Sequence, residues 1–207
     1  MKRPKFYVVL FALITAGAVS SGREPQQGGK AEGEQTQKQQ EGKSQSLQST
    51  ASAKPGDVVL QRLSLEEILA KIKKPQEKWT IVDVWSTSCA PCMREFPKLV
   101  ELSKRYPDKL RCMSINVDYL GMKSKPPENY EPKVKKFLAT QNANFDHFLS
   151  TTPDSELFEK MEIDSIPAIM IFDASGERKM LWTDSNSGDD GLSYEGDVIP
   201  WLEKQWK

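Results

Sequence analysis

Seven residues, WTIVDVW from Trp79 to Trp85, form a near-continuous apolar run of strand length that leads straight into STSCAPC. A strand covered on both faces needs such a run, because both of its alternating side-chain rows are buried. From Met93 to Tyr106 the pattern changes: Phe96, Leu99, Val100 and Leu102 recur at helical spacing, and RYPDKL then breaks the helix before a second buried strand, LRCMSINVD. Strand, helix and strand in that order define a βαβ unit with a parallel pair of strands. Its first junction holds two cysteines, Cys89 and Cys92.

The rest of the chain can be placed around this unit. DVVLQ suggests a short first strand, and SLEEILAKIKK a helix with Ser64 as N-cap, Glu67 at the capping-box position and Leu65, Ile68, Leu69 and Ile72 on one face, ended by Pro75. YLGMKSKPPENYEP is too rich in Pro, Gly and Lys for a core element and, with the helical KVKKFLATQ, forms an insertion after the βαβ unit. NFDHFLS reads as a strand, SELFEKM as a short helix, PAIMIFD as a strand, ASGE as a turn and RKMLWT as the hairpin strand that follows. A last helix spans roughly Tyr194 to Lys207, with Val198, Trp201 and Leu202 towards the core.

Composition divides the chain. The start runs from basic MKRPK through apolar Phe6 to Val19 to small residues in TAGAVSSG, the layout of a secretory leader over residues 1–21 with cleavage after Ala18 or Ser20. The apolar run is shorter than the roughly 20 residues of a membrane span, although an uncleaved anchor is an alternative. No cysteine lies near it, which excludes a lipid-modified one. Residues 22–56 are dominated by Gln, Ser, Gly, Lys and Glu, and no aromatic residue occurs between Phe11 and Trp79. A segment so poor in apolar surface is expected to be a disordered linker, which leaves residues 57–207 as one domain. Basic and acidic residues balance at 29 each, so the footprint of a nucleic-acid binder is missing and no nucleic-acid partner is expected.

A strand-to-helix junction puts Cys89 at a helix N-terminus and Cys92 about one turn inside. Free N–H groups and the helix dipole there favour the Cys89 thiolate, the form that attacks disulfides. Cys92, nearby and more buried, can resolve the mixed disulfide that results. Pro91 falls in the first turn, where its missing N–H costs nothing. A structural zinc site needs four ligands, and the other candidates, Cys112 and His147, lie on core strands far apart in sequence. A purely structural Cys89–Cys92 bridge would close too small a loop to add much stability. A working dithiol is the preferred reading, and the lack of a histidine between the cysteines leans it towards a reductant.

VDVWSTSCAPC followed by IDSIPAIMIFDASG resembles the thioredoxin superfamily, and CAPCMREFPKLVEL with the insertion after INVD is similar to its exported TlpA/ResA-type branch. The likeness covers approximately Asp57 to Lys207. It implies an α/β thioredoxin-like fold, a central mixed β-sheet flanked by helices, with the insertion after the βαβ unit. By the same resemblance Pro167 is the cis-proline beside the dithiol, and Asp83 the buried acid that relays a proton to or from Cys92. Glu95 matches a glutamate that tunes the cysteines and adds to the substrate surface, and Trp85 the tryptophan that packs under the dithiol loop. Two departures are visible: Ser88 replaces the usual aromatic before the first cysteine, which makes the rim more open and polar, and Ala168 stands where threonine is common.

The implied activity is a thiol-disulfide oxidoreductase that reduces protein disulfides outside the cytoplasm, monomeric, without cofactor, and supplied with electrons by a membrane thiol carrier. A disulfide oxidase or isomerase, and a redox-inactive binding module using the groove near Pro167, remain as alternatives. Cys112 alternates within an apolar strand and reads as a small core hydrophobe. His147, between Phe145 and Phe148, reads as a strand residue. DSNSGDDGLSYE partly fits a calcium loop through Asp184, Asn186, Asp190 and Glu195, but Asp189 stands where the sharp turn needs glycine, so a polar loop is expected there.

Overall fold

WTIVDVW forms β2 (Trp79–Trp85), the strand about which the sheet is arranged. In the computed structural model, residues 58–188 and 191–207 are described; the expected leader over 1–21 and linker over 22–56 lie outside them. The other strands are β1 (Leu60–Leu63), β3 (Leu110–Asn116), β4 (Asp146–Ser150), β5 (Ala168–Phe172) and β6 (Arg178–Thr183). The helices are α1 (Leu65–Ile72), α2 (Ala90–Arg105), α3 (Glu131–Thr140), α4 (Asp154–Met161) and α5 (Ile199–Gln205). One six-stranded sheet runs in the order β1-β4-β3-β2-β5-β6. Pairing is parallel from β1 through β2 and antiparallel for β2 with β5 and β5 with β6, so the sheet is mixed and the fold is the thioredoxin-like α/β fold.

Alternation along the strands sends side chains into two cores. Ile81, Trp85, Cys112, Ile169 and Ile171 meet α2, α3 and α5 on one face. Val82, Val84, Met113, Ile115, Met170 and their neighbours meet α1 and α4 on the other. Helix α1 starts at the expected capping box: Ser64 Oγ accepts the Glu67 N–H at 3.3 Å, and Glu67 Oε2 accepts the Ser64 N–H at 2.8 Å. Such a cap contributes about 1 kcal/mol, and it aims Leu65, Ile68 and Ile72 into the second core.

Two elements depart from the sequence reading. The first strand falls later than DVVLQ suggests, because its limits follow the pairing of Leu60–Leu63 with His147–Ser150, while Val59 stays 53 % exposed. The closing helix opens with a π-helical turn, Tyr194–Val198, before α5. Val198 and Leu202 are buried, and Trp201 is half-buried against Trp79 and Trp182. Among the described residues no helix is long and apolar enough to cross a membrane.

The β5–β6 hairpin turns at Gly176, with φ at +84° and its N–H donated to Asp173 O. A Cβ there would lie 2.6 Å from the Lys73 carbonyl oxygen. Gly176→Ala is therefore expected to destabilise the fold by about 1–3 kcal/mol, read as a lowered urea midpoint. An unchanged midpoint would show that the hairpin can move away from the end of α1.

Candidate active site

Strand β2 ends at Trp85, and four residues later the chain enters α2 with Cys89 as its N-cap. Cys89 and Cys92 are joined by a disulfide, their Cα atoms 5.3 Å apart. The Cys89 sulfur also accepts the backbone N–H of Cys92 at 3.2 Å. Cys89 is half-buried, whereas Cys92 is only 2 % exposed and belongs to the first core. Pro91 lies in the first turn of α2. A second proline, Pro97, lies within the same helix, where it leaves one carbonyl without its usual N–H partner.

At the end of β2, Trp85 is fully buried in the same core as Cys92, its ring 5.0 Å from Phe96 and 4.9 Å from Phe137 between centroids. Asp83 points to the same face of β2, buried to 3 % exposure. Burial pushes its carboxyl up to about 7; a hydrogen bond from Tyr194 works against that rise and the charge of Glu95 adds to it. The Tyr194 hydroxyl donates to Asp83 Oδ2 at 2.7 Å, and the Tyr194 backbone N–H donates to Glu95 Oε2 at 3.2 Å. Glu95 is thus folded inwards onto the C-terminal segment, an attachment that its expected surface position does not include.

The rim before Cys89 is built on Asp118. Its carboxylate accepts from Ser86 Oγ at 2.5 Å, the Thr87 N–H at 2.8 Å and Thr87 Oγ1 at 2.6 Å. Ser86 Oγ in turn accepts the Ser88 N–H at 3.1 Å, so the polar SerThrSer run is pinned at several points. Next to it opens a cleft of about 470 Å³ between this rim, Ile166 and the insertion, with Leu120, Met122 and Lys133 among its walls. Leu120 and Met122 are two of the exposed large apolar side chains among the described residues. Pro167, following Ile166 through a cis peptide, is buried immediately before β5. A larger cleft, about 730 Å³, lies between α1, α4 and the β5–β6 hairpin; neither cleft has Cys89 or Cys92 in its lining, and the smaller one reaches Ser88, the residue before Cys89.

Sequence reasoning singles out neither Asp118 nor Tyr194. Asp118 had a usable signal, an acidic residue just past the C-terminal end of a parallel strand, where α/β sites gather. Tyr194 had none, since only burial against β2 distinguishes it from other tyrosines. Cys112 is buried; its thiol is pushed up to about 12 by burial and then by the charge of Asp83. His147 is buried as well: its Nε2 donates to Ala143 O, so Nδ1 of the neutral ring accepts from Ser114. Within the supposed calcium loop Asp184 accepts the Leu192 N–H and Glu195 pairs with Lys98, while Asp189 and Asp190 lie outside the described residues. Among the described residues no cluster of His, Cys, Asp and Glu is arranged to hold a metal ion.

A cysteine pair at a strand-to-helix junction, with a buried acid in that strand and a mixed sheet of this order, defines a thioredoxin-like domain. Residues 76–178 match the family model described as thioredoxin-like. A relative from Bacillus subtilis (strain 168) named thiol-disulfide oxidoreductase YkuV is 26% identical over 102 residues, 49% of this chain and 64% of that protein. The chain therefore matches less than two thirds of that relative's length. StoA from Bacillus subtilis superposes with a TM-score of 0.45 at 19% identity, covering 65% of this chain and 86% of StoA. A thioredoxin-like protein solved in its oxidized form gives 0.49 at 23% identity, covering 63% and 82%.

Two buried groups give opposing pH dependences. Asp83 holds its proton more tightly folded than unfolded, so its contribution to stability is full below 3.8 and is lost as the pH rises through about 7. Burial lowers His147 from 6.5 to about 4, so its contribution is present above 6.5 and lost as the pH falls through about 4. In the oxidised protein, wild type should lose stability relative to Asp83→Asn as the pH rises across the first window, by on the order of 4 kcal/mol. Urea unfolding at a series of pH values measures this, and a constant difference between the two proteins would refute it.

Proposed function

We propose that this chain is an exported thiol-disulfide oxidoreductase that reduces protein disulfides outside the cytoplasm. The observation that carries the reading is the unequal placement of the two sulfurs. Cys89 is accessible at the N-cap of α2, and Cys92 is buried one turn in, on the core face that also holds Asp83. The reduced Cys89 thiolate would keep the Cys92 N–H as a donor and face the positive end of α2, which lowers its pKa.

The cycle follows from that placement. Cys89 thiolate attacks a substrate disulfide, forming a Cys89–substrate bond and releasing the other substrate sulfur as thiolate. Cys92 then gives its proton to Asp83 and attacks the Cys89 sulfur, so the Cys89–Cys92 bond forms, the mixed disulfide breaks, and the second substrate sulfur leaves and is protonated. A carboxyl titrating at about 7 suits this exchange near neutral pH. Ile166, joined to Pro167 by the cis peptide, lines the cleft into which a substrate segment fits, Trp85 and Pro91 hold the dithiol loop, and Glu95 adjusts the field at Asp83.

Export is supported by the leader pattern at residues 1–21. Since disulfides persist outside the cytoplasm, sustained reduction needs a donor, and the resemblance to TlpA/ResA-type proteins suggests a membrane thiol carrier. The reduction potential of the Cys89/Cys92 pair is expected near or below that of thioredoxin, roughly −270 mV, measured by equilibration in thiol buffers and alkylation. A value near roughly −120 mV would reverse the direction of electron flow. Cys92→Ala should accumulate mixed disulfides through Cys89, whereas a binding module would bind its partner unchanged and trap nothing.

A further inference from the structure

Asp83 sits in the middle of β2, yet what touches its carboxylate comes from the far end of the chain. The Tyr194 hydroxyl reaches Asp83 across 111 residues of sequence, with both side chains buried. The same residue's backbone N–H holds Glu95 on α2. Its place is secured locally: Ser193 Oγ accepts the Gly196 N–H at 3.0 Å, the Ser193 N–H donates to Asp197 Oδ2 at 3.0 Å, and the Leu192 N–H donates to Asp184 Oδ1 at 3.3 Å. The turn these bonds stabilise is π-helical, a geometry that recurs at functional sites.

We propose that Tyr194 is a positioning residue of the dithiol site, whose hydroxyl orients Asp83 and sets the pH at which Asp83 accepts the proton of Cys92. The inference rests on the reading of Cys89 and Cys92 as an exchanging pair. Asp83 is faced by Tyr194 from the π turn, by Glu95 from α2 and by Cys112 from β3, while its β5 partner, Ile169, brings no charge. Of these groups Tyr194 is the one that stabilises the ionised carboxylate. Burial and Asp83 itself hold the phenol well above its ordinary pKa, so Tyr194 remains a neutral donor throughout. A neutral donor favours the charged form of its acceptor, which opposes both the desolvation of Asp83 and the repulsion from Glu95.

The full chain is charged with glutathione on Cys89, and glutathione release, which reports attack by Cys92, is followed as a function of pH. Wild type should release with a midpoint near the Asp83 value of about 7. Tyr194→Phe keeps the ring and loses the donor, so its midpoint should move alkaline by about one pH unit, with release near neutral pH slowed several-fold and release at high pH unchanged. In an Asp83→Asn background the same substitution should move nothing further. Replacing Tyr194 by 3-fluorotyrosine, which preserves shape and strengthens the donor, should shift the midpoint in the acid direction and needs no change of fold. Equal midpoints in wild type and fluorotyrosine protein, or a Tyr194→Phe shift that persists without Asp83, would overturn the role of Tyr194 while leaving exchange intact. Wild type that forms the mixed disulfide but never releases glutathione would overturn the exchange reading and this inference with it.

Discussion

Everything at the site depends on β2 being held on four sides. Its edges are bonded to β3 and β5, and its two faces are covered by separate cores. The parallel partner requires a crossover, so α2 must begin where β2 ends, which brings its N-terminus and Cys89 to that edge. The antiparallel partner brings Ile166 and Pro167 alongside the same edge. An acid in the middle of such a strand has no route to water, so Asp83 is desolvated by the same packing that makes the strand central.

Two acids at this end of the sheet illustrate how environment separates roles. Asp118, beyond the end of β3, is supplied with two hydroxyls and a backbone N–H and serves to fix the rim. Asp83 receives the Tyr194 hydroxyl and faces the negative charge of Glu95. The first arrangement occupies the carboxylate with donors that fix neighbouring backbone, and the second leaves the protonated and ionised forms of Asp83 close in free energy near neutral pH. A group balanced in this way can exchange a proton with a buried thiol.

Much of the fold was legible because its signals are local. The Ser64–Glu67 capping box, the apolar run of β2, the helical spacing of Phe96, Leu99 and Val100, and the ASGE turn each describe a stretch whose backbone choice is settled by near neighbours. The first strand was misplaced because an edge strand takes its limits from the partner it pairs with, here β4, and not from its own apolar content. The π turn at Tyr194 was missed for a related reason: what places it is contact with Asp83 and Glu95, distant in sequence.

By itself the sequence determined the order of elements, the two cysteines at a strand-to-helix junction and the acid preceding them, because periodicity, capping and spacing act within a few residues. Only the tertiary structure decided that the Tyr194 hydroxyl meets Asp83, that Asp118 gathers the rim and that Glu95 turns inwards to Tyr194. Hydrogen-bond partners and desolvation depend on which surfaces are brought together and sealed from water. Those are properties of the packed chain, and no short stretch of residues encodes them.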